Sequence, residues 1–141
     1  MNNKLFYGLV LVILSCKSPQ KNISDPKAVD VSQTVLKGEF LIHRLYTKNV
    51  LQHNLNIIFT SENHNASGFS GCNRFSTSYQ EVKASISFSV PLGTKMYCNE
   101  TSELEKEFMS GLGEITKKII KGDSLYLKND QDNVVLFALK K

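Results

Sequence analysis

The chain has 141 residues, which is the size of one domain. Its lysines and arginines give a net charge of only +4 and form no arginine-rich run, so the composition argues against nucleic-acid binding. It contains three cysteines and no tryptophan.

The first 16 residues have the pattern of a bacterial lipoprotein signal. Lys4 precedes the apolar stretch 5–14, which is too short for a membrane-spanning helix because such a helix needs about 20 residues. Residues 13–16, Ile-Leu-Ser-Cys, resemble a lipobox. That resemblance implies cleavage before Cys16, a diacylglycerol thioether on its sulfur and acylation of the new amino terminus. The alternative is an ordinary secretory signal with an incidental cysteine.

Three segments follow from this interpretation: a signal peptide over 1–15, a lipidated tether over 16–36 and a folded domain over 37–141. The tether is predicted to be flexible because it is polar and has few bulky apolar residues. Lys17 is not the acidic residue that commonly retains lipoproteins in the inner membrane. We therefore expect a lipid-anchored envelope protein on the periplasmic face of the outer membrane.

Two cysteines, Cys72 and Cys98, remain once Cys16 is assigned to the anchor. An exported domain meets an oxidising compartment, so a disulfide between the two is the first interpretation. Two free thiols, a catalytic thiol and a metal-ligand pair stay open as alternatives.

Alternation of apolar and polar residues predicts strands through most of the domain. The predicted strands cover 39–46, 55–59, 66–70, 75–79, 85–90, 117–121, 124–128 and 134–139. In the first of them, Phe40, Ile42 and Arg44 are predicted to share a face. In the fifth, Val90 is predicted to point inward together with Ile86.

One helix is predicted between the fifth and sixth strands. Residues 102–105, Ser-Glu-Leu-Glu, match a capping box with Ser102 as the N-cap. One stripe at helical spacing holds Leu104, Phe108, Leu112 and Ile115. The helix is predicted to end between Gly113 and Thr116. Strands, one helix and a closing hairpin indicate an α+β domain dominated by antiparallel sheet.

Two sequence elements resemble a known family. Residues 67–79, Ser-Gly-Phe-Ser-Gly-Cys-Asn-Arg-Phe-Ser-Thr-Ser-Tyr, resemble the signature of the META domain, also called HslJ-like. Residues 94–98, Thr-Lys-Met-Tyr-Cys, resemble its Thr-x-Met-x-Cys element, and 122–127 fits its last hairpin. The resemblance covers 37–141. Two positions depart from the pattern, since Phe40 stands where a tryptophan is frequent and Thr77 where a glycine is common.

The resemblance implies an antiparallel β-rich sheet or cracked barrel with one packed α-helix, and a pairing of Cys72 with Cys98. It also implies an envelope lipoprotein or secreted protein of unassigned activity. We predict a non-catalytic lipoprotein that supports envelope integrity or stress tolerance through protein contacts. The alternative is a binder of a small apolar ligand, a lipid tail or a pilot-like partner in a groove between helix and sheet. The expected partners are the membrane through Cys16, an envelope protein or an apolar ligand, and no nucleic acid.

No catalytic apparatus is predicted. Residues 68–72 fall short of Gly-x-Ser-x-Gly because a cysteine stands where the second glycine is needed. His43, His53 and His64 lack the tight spacing of metal ligands, so neither a metal nor a cofactor is predicted. Arg74 is predicted to satisfy backbone carbonyls at its turn, with a binding role as the alternative.

Overall fold

The computed structural model describes residues 35–141. Eight strands form a closed antiparallel barrel, two short strands extend it, and one helix packs against it. The elements are β1 (Gly38–Leu45), β2 (Lys48–Asn49), a 3-10 turn (Leu51–His53), β3 (Asn56–Thr60), β4 (Asn65–Phe69), β5 (Arg74–Val82), β6 (Ser85–Phe88), β7 (Leu92–Gly93), α1 (Ser102–Glu114), β8 (Lys117–Lys121), β9 (Ser124–Lys128) and β10 (Val134–Lys140). The predicted fold class is confirmed, in its barrel form.

The barrel closes because β10 pairs with β1 along most of its length, from Phe40 opposite Lys140 to Leu45 opposite Leu136. The seam between β6 and β8 is much narrower. Ser85 and Lys117 are the paired residues there, and backbone hydrogen bonds from Ile86 to Thr116 and from Lys118 to Ala84 bridge the two strands, so the barrel is closed at this seam by few bonds. The short strand β2 pairs with the end of β1, at Arg44 and Leu45. The short strand β7 pairs with Phe75 and Ser76 of β5, outside the part of β5 that pairs with β6.

Helix α1 packs against the barrel through one face. Its predicted apolar stripe is confirmed, since Phe108, Leu112 and Ile115 are buried and Leu104 packs against the same core. The Phe108 ring meets Phe75 of β5 edge-on, with 5.1 Å between the ring centroids. The helix ends at Glu114, inside the predicted limits.

The inward residues of the strands form the rest of the core. The alternation predicted for β3 is confirmed by the burial of Leu55, Ile57 and Phe59. The buried hydrophobic set also includes Phe40, Ile42, Leu45, Ala66, Phe75, Tyr79, Ile86, Leu125, Leu127, Val135, Leu136 and Ala138.

Two side chains face the opposite way from the prediction. Arg44 is exposed and Leu45 is buried instead, because a bulge between Ile42 and Arg44 shifts the register of β1 against β10 and reverses the faces. Val90 is exposed because β6 ends at Phe88 and the chain leaves the sheet ahead of Pro91.

The folded domain begins earlier than predicted. Leu36 is fully buried, and its carbonyl accepts a hydrogen bond from the Tyr79 hydroxyl at 3.5 Å. Leu36 therefore belongs to the domain and not to the tether. Cys16, the signal peptide and the tether up to residue 34 lie outside the described residues.

A buried ion pair lies next to the narrow seam. Lys118 of β8 pairs with Glu81 of β5, and both side chains are almost fully buried. Burying two charges removes their hydration, so such a pair persists only where the charges compensate one another. Among residues 35–141, no helix is long and apolar enough to cross a membrane.

Candidate functional site

A tight turn between β4 and β5, residues 70–73, is held by several side-chain hydrogen bonds and by a disulfide. We call it the braced turn. The Ser70 backbone amide donates to the Asn73 carbonyl at 2.9 Å. The Ser70 hydroxyl oxygen lies 2.8 Å from the same carbonyl and shares its one proton between that oxygen and the Glu105 carboxylate. Gly71 has φ +102°, a left-handed conformation that favours glycine.

Asn73 uses its whole side-chain amide and is almost fully buried. Its Oδ1 accepts from the Thr94 hydroxyl at 2.7 Å and from the Met96 amide at 2.8 Å. Its Nδ2 donates to the Met96 carbonyl at 3.0 Å and to Glu105 Oε2 at 2.8 Å. All four hydrogen-bonding positions of the amide are filled. One residue thus ties the turn to the following loop and to α1.

Glu105 joins the helix to the same turn. Its carboxylate accepts a hydrogen bond from the Ser70 hydroxyl and another, at 3.2 Å, from the backbone N–H of Asn73. The predicted capping box is therefore wrong. Thr101, not Ser102, is the N-cap and makes no side-chain cap bond. The Glu105 carboxylate, which would complete a capping box, is bonded to the turn instead. The carboxylate still lies in the first turn of α1, where the helix dipole favours a negative charge.

A disulfide completes this bracing. Cys72 of the braced turn is bonded to Cys98, with 5.9 Å between their Cα atoms. The predicted pairing is confirmed. The role predicted for Arg74 is wrong, because the side chains that satisfy the turn are Ser70, Asn73 and Glu105, while Arg74 is exposed.

Residues 90–97, which we call the apolar loop, run from the end of β6 to the disulfide. Four large apolar side chains in this loop are exposed: Val90 by 84%, Leu92 by 77%, Met96 by 63% and Tyr97 by 83%. Its backbone is nevertheless fixed, since β7 within it pairs with Phe75 and Ser76 of β5. A side chain at Gly93 would lie 3.4 Å from the Met109 terminal methyl of α1, so the loop lies close against the helix.

A second surface lies on the outside of the barrel across β1, β10 and β9. We call it the aromatic sheet face: His43, Arg44, Tyr126 and Phe137. Tyr126 and Phe137 are cross-strand neighbours whose ring centroids are 5.0 Å apart. The Arg44 guanidinium lies over the Phe137 ring at 5.2 Å, and the His43 ring meets it edge-on at 6.0 Å. Both contacts are favourable, because a ring presents its negative face to a cation and prefers edge-on neighbours.

A groove of about 590 Å³ borders this face. It is lined by Arg44, Tyr46, Thr47, Asn129, Asn133 and Val134. The bulge in β1 is what turns Arg44 outward toward both the groove and Phe137. Aromatic side chains and an arginine beside a polar groove are the residue types that dominate protein interfaces.

The family assignment follows from comparison with known proteins. The family model of the META domain matches residues 33–141. The chain belongs to the META domain family. The match extends over the braced turn, the apolar loop and all ten strands.

Solved structures share the fold of this META domain at low sequence identity. A protein from Burkholderia xenovorans has a TM-score of 0.59 and 19% identity, covering 82% of this chain and 99% of its own. A second protein has a TM-score of 0.56 and 23% identity, and the match covers 72% of this chain and 88% of that protein; both structures were solved by NMR. A DUF4847 family protein from Bacteroides vulgatus has a TM-score of 0.58 and 11% identity, and the match covers 80% of this chain and 95% of that protein. A search of curated proteins finds no match.

The outer side of α1 in the META domain forms a polar groove of about 640 Å³ with β1 and β2. It is lined by Tyr46, Lys48, Glu103, Lys106, Glu107, Ser110 and Glu114. Burial, a hydrogen bond with Glu114 and its negative charge raise the pKa of Tyr46 to about 12. The inner side of α1, where a ligand groove was predicted, is closed core: Phe108 is 0% and Leu112 1% exposed.

The three histidines of the META domain lie apart from one another. His43 belongs to the aromatic sheet face, His53 ends the 3-10 turn, and His64 stacks edge-on against Tyr79 at 5.6 Å. Within residues 35–141, no group of three or more His, Cys, Asp or Glu side chains could hold a metal ion. The residues that build the site were mostly missed from the sequence. The sequence pointed to Asn73 only through the family motif, and to Glu105 only through the predicted start of the helix.

Proposed function

We propose that this protein is a non-catalytic envelope lipoprotein whose META domain supports envelope integrity or stress tolerance by binding another protein through the aromatic sheet face. The observation that carries the proposal is the packing of Arg44 over Phe137, with Tyr126 beside it and a groove along its edge. Interface hot spots are rich in tyrosine and arginine held in fixed positions, and this face holds both.

The anchor in this proposal is Cys16. Its support is the apolar stretch 5–14 ending at a small residue and a cysteine. We expect the mature protein to begin at Cys16 with acyl chains and to lie on the periplasmic face of the outer membrane. Mass spectrometry of the purified protein measures this directly. Cys16→Ala should leave the protein unprocessed or release it from the membrane fraction, and normal processing with membrane retention would contradict the anchor.

The two arginines at 44 and 74 offer a matched test of the sheet face. Both side chains are exposed, but Arg74 lies on β5 and away from the aromatic rings. In a strain that lacks the native gene, we expect Arg44→Glu to lose tolerance to envelope stress and Arg74→Glu to keep it. A photo-crosslinking residue at Tyr126 should give a protein adduct that Arg44→Glu abolishes.

Thermal unfolding of both variants serves as the control for folding. Equal function of Arg44→Glu and Arg74→Glu, with both folded, would contradict the proposal. No observation favours the alternative, an apolar ligand between helix and sheet, because the facing side chains of α1 are buried in the core. Native mass spectrometry showing a bound acyl ligand would reopen it.

A further inference from the structure

The apolar loop is not explained by the aromatic sheet face, which lies on other strands. Seven large hydrophobic residues in the described range are exposed, and four of them fall within this loop of eight residues. Side chains exposed by 63–84% touch little of their own protein, so they project from the surface. A concentration of exposed apolar residues in one short loop is a candidate interaction site, because exposed hydrophobic residues in monomeric soluble proteins are usually scattered singly.

Part of the loop backbone is already hydrogen-bonded to the protein, which lowers the cost of contact with a bilayer. In lipid, each unpaired N–H or C=O group is costly, since no water is there to bond it. Here the backbone N–H of Thr94 donates to the Arg74 carbonyl at 3.0 Å. The side-chain amide of Asn73 hydrogen-bonds to both the backbone N–H and the carbonyl of Met96. Pro91 has no N–H to satisfy. At Thr94 and Met96 the backbone groups are thus bonded toward the protein, while the four large apolar side chains of the loop are exposed.

The side chains also suit the boundary between headgroups and acyl chains. Tyr97 is amphipathic, and its hydroxyl donates to Asn99 at 3.2 Å. Aromatic residues of this type concentrate at membrane interfaces. Lys95 is the one charge in the loop, and a lysine can reach the headgroups with its ammonium while its stem stays in apolar surroundings. Glu100 follows the loop, and Arg74 is hydrogen-bonded to the loop through Thr94. Both are exposed, so with Lys95 the three charges sum to only +1.

The length of chain before the domain allows this contact. Eighteen residues separate Cys16 from Val35. A chain of that length spans at most about 60 Å, which exceeds the size of a domain of this kind with a radius of gyration of about 13 Å. An anchor within that reach raises the local concentration of the loop at the membrane, so that a weak affinity suffices.

From these observations we propose that the apolar loop inserts the side chains of Val90, Leu92, Met96 and Tyr97 into the headgroup region of the bilayer. The loop then fixes which side of the domain faces the membrane and leaves the aromatic sheet face for a protein partner. This inference rests on the proposed anchor at Cys16. Because the region carries little net charge, binding is expected on zwitterionic and anionic lipid alike, with weak dependence on salt.

The absence of tryptophan from the chain gives a direct test. Tyr97→Trp places one fluorophore in the loop, and Val82→Trp places one at a control position that is 71% exposed on the β5–β6 hairpin. The mature protein is reconstituted in vesicles of phosphatidylethanolamine and phosphatidylglycerol, with or without lipid brominated in the acyl chains. We expect blue-shifted emission that brominated lipid quenches for Trp at 97, and neither effect for Trp at 82.

The outcomes separate the loop from the anchor. Acylated protein with equal, unquenched emission from both reporters would overturn the loop proposal and leave the anchor intact. If mass spectrometry finds no acyl chains, the anchor fails, and the same reporters are measured with an excess of added vesicles. There, selective quenching at position 97 supports the loop and its absence overturns it. Leu92→Ser should then weaken vesicle binding roughly tenfold, as the loss of one buried aliphatic side chain predicts.

A protein target would give a different pattern. Emission of Trp at 97 that shifts in native membrane vesicles, but not in vesicles of pure lipid, would show that the loop binds a protein. That result would overturn the proposal.

Discussion

Two apolar segments lie close together in the chain and are used in opposite ways. The inner face of α1 is buried, with Phe108 and Leu112 at 0% and 1% exposed, while Leu92 and Tyr97 in the apolar loop are 77% and 83% exposed. Both segments have an ordered backbone. The helix bonds its own backbone, whereas the loop obtains its hydrogen bonds from Asn73 and Arg74. Order and burial are therefore separable, and rigidity alone does not identify a core.

The largest expected effect tests the buried side of this comparison. Phe108→Ala should reduce the free energy of unfolding by about 3–5 kcal/mol, because it leaves a cavity against Phe75. The matched change on the exposed side, Leu92→Ala, should alter it by no more than about 0.5 kcal/mol. Urea unfolding measures both. Similar losses for the two variants would mean that the loop is part of the core.

The disulfide that ends the loop has the next largest effect. Replacing Cys72 and Cys98 together with serine should cost about 2–5 kcal/mol, since the unfolded chain is no longer constrained. Reducing agent should destabilise the native protein by a similar amount and leave the double variant unchanged. A double variant as stable as the native protein would show that hydrogen bonds alone hold the loop.

Asn73 tests those hydrogen bonds. Asn73→Ala should cost about 1–3 kcal/mol, because it removes the four hydrogen bonds of a buried side-chain amide. Hydrogen exchange of the Met96 amide should accelerate, while amides in the middle of α1 keep their protection. Unchanged exchange at Met96 would contradict the view that Asn73 orders the apolar loop.

The smallest effect concerns the outer side of α1. Burial, the hydrogen bond with Glu114 and the charge of that residue raise the pKa of Tyr46 to about 12. A raised pKa means that the folded state favours the neutral phenol. This contribution to stability is fully present below about pH 10, the ordinary value for tyrosine, and is lost as the pH rises toward 12.

Tyrosinate absorbance checks that pKa, with Tyr46→Phe as the control that removes the signal. Glu114→Gln should move the pKa of Tyr46 downward, because it removes a nearby negative charge. Stability in alkaline solution should then depend less on pH in Tyr46→Phe than in the native protein. Identical pH profiles would exclude Tyr46 as the source of the effect.

Much of the fold could be predicted from the sequence because it depends on local periodicity. The stripe of α1 and the alternation of β3 needed no knowledge of their neighbours. Arg44 could not be placed, because its direction depends on a bulge that forms only against β10. Val90 continued the alternation of β6, yet the strand stopped where pairing with β5 stopped.

The site was harder to predict than the fold. Its central bonds join residues that are more than 20 positions apart, such as Asn73 to Met96 and Asn73 to Glu105. A capping box explained Glu105 from local sequence alone, but a distant amide and hydroxyl compete for the same carboxylate. The disulfide was predicted from the even number of cysteines in the domain and from its expected export, since Cys72 and Cys98 are the two cysteines of the domain.

The pairing of β1 with β10 has a consequence for the newborn chain. Phe40 pairs with Lys140, so this strand pair joins residues that are about a hundred positions apart in the chain and are synthesised at different times. Until β10 emerges from the ribosome or from a translocation channel, β1 presents an open edge, and open edges recruit strands from other chains. Contacts of such separation also form slowly. The protein should thus depend on holding factors during synthesis more than its small size suggests.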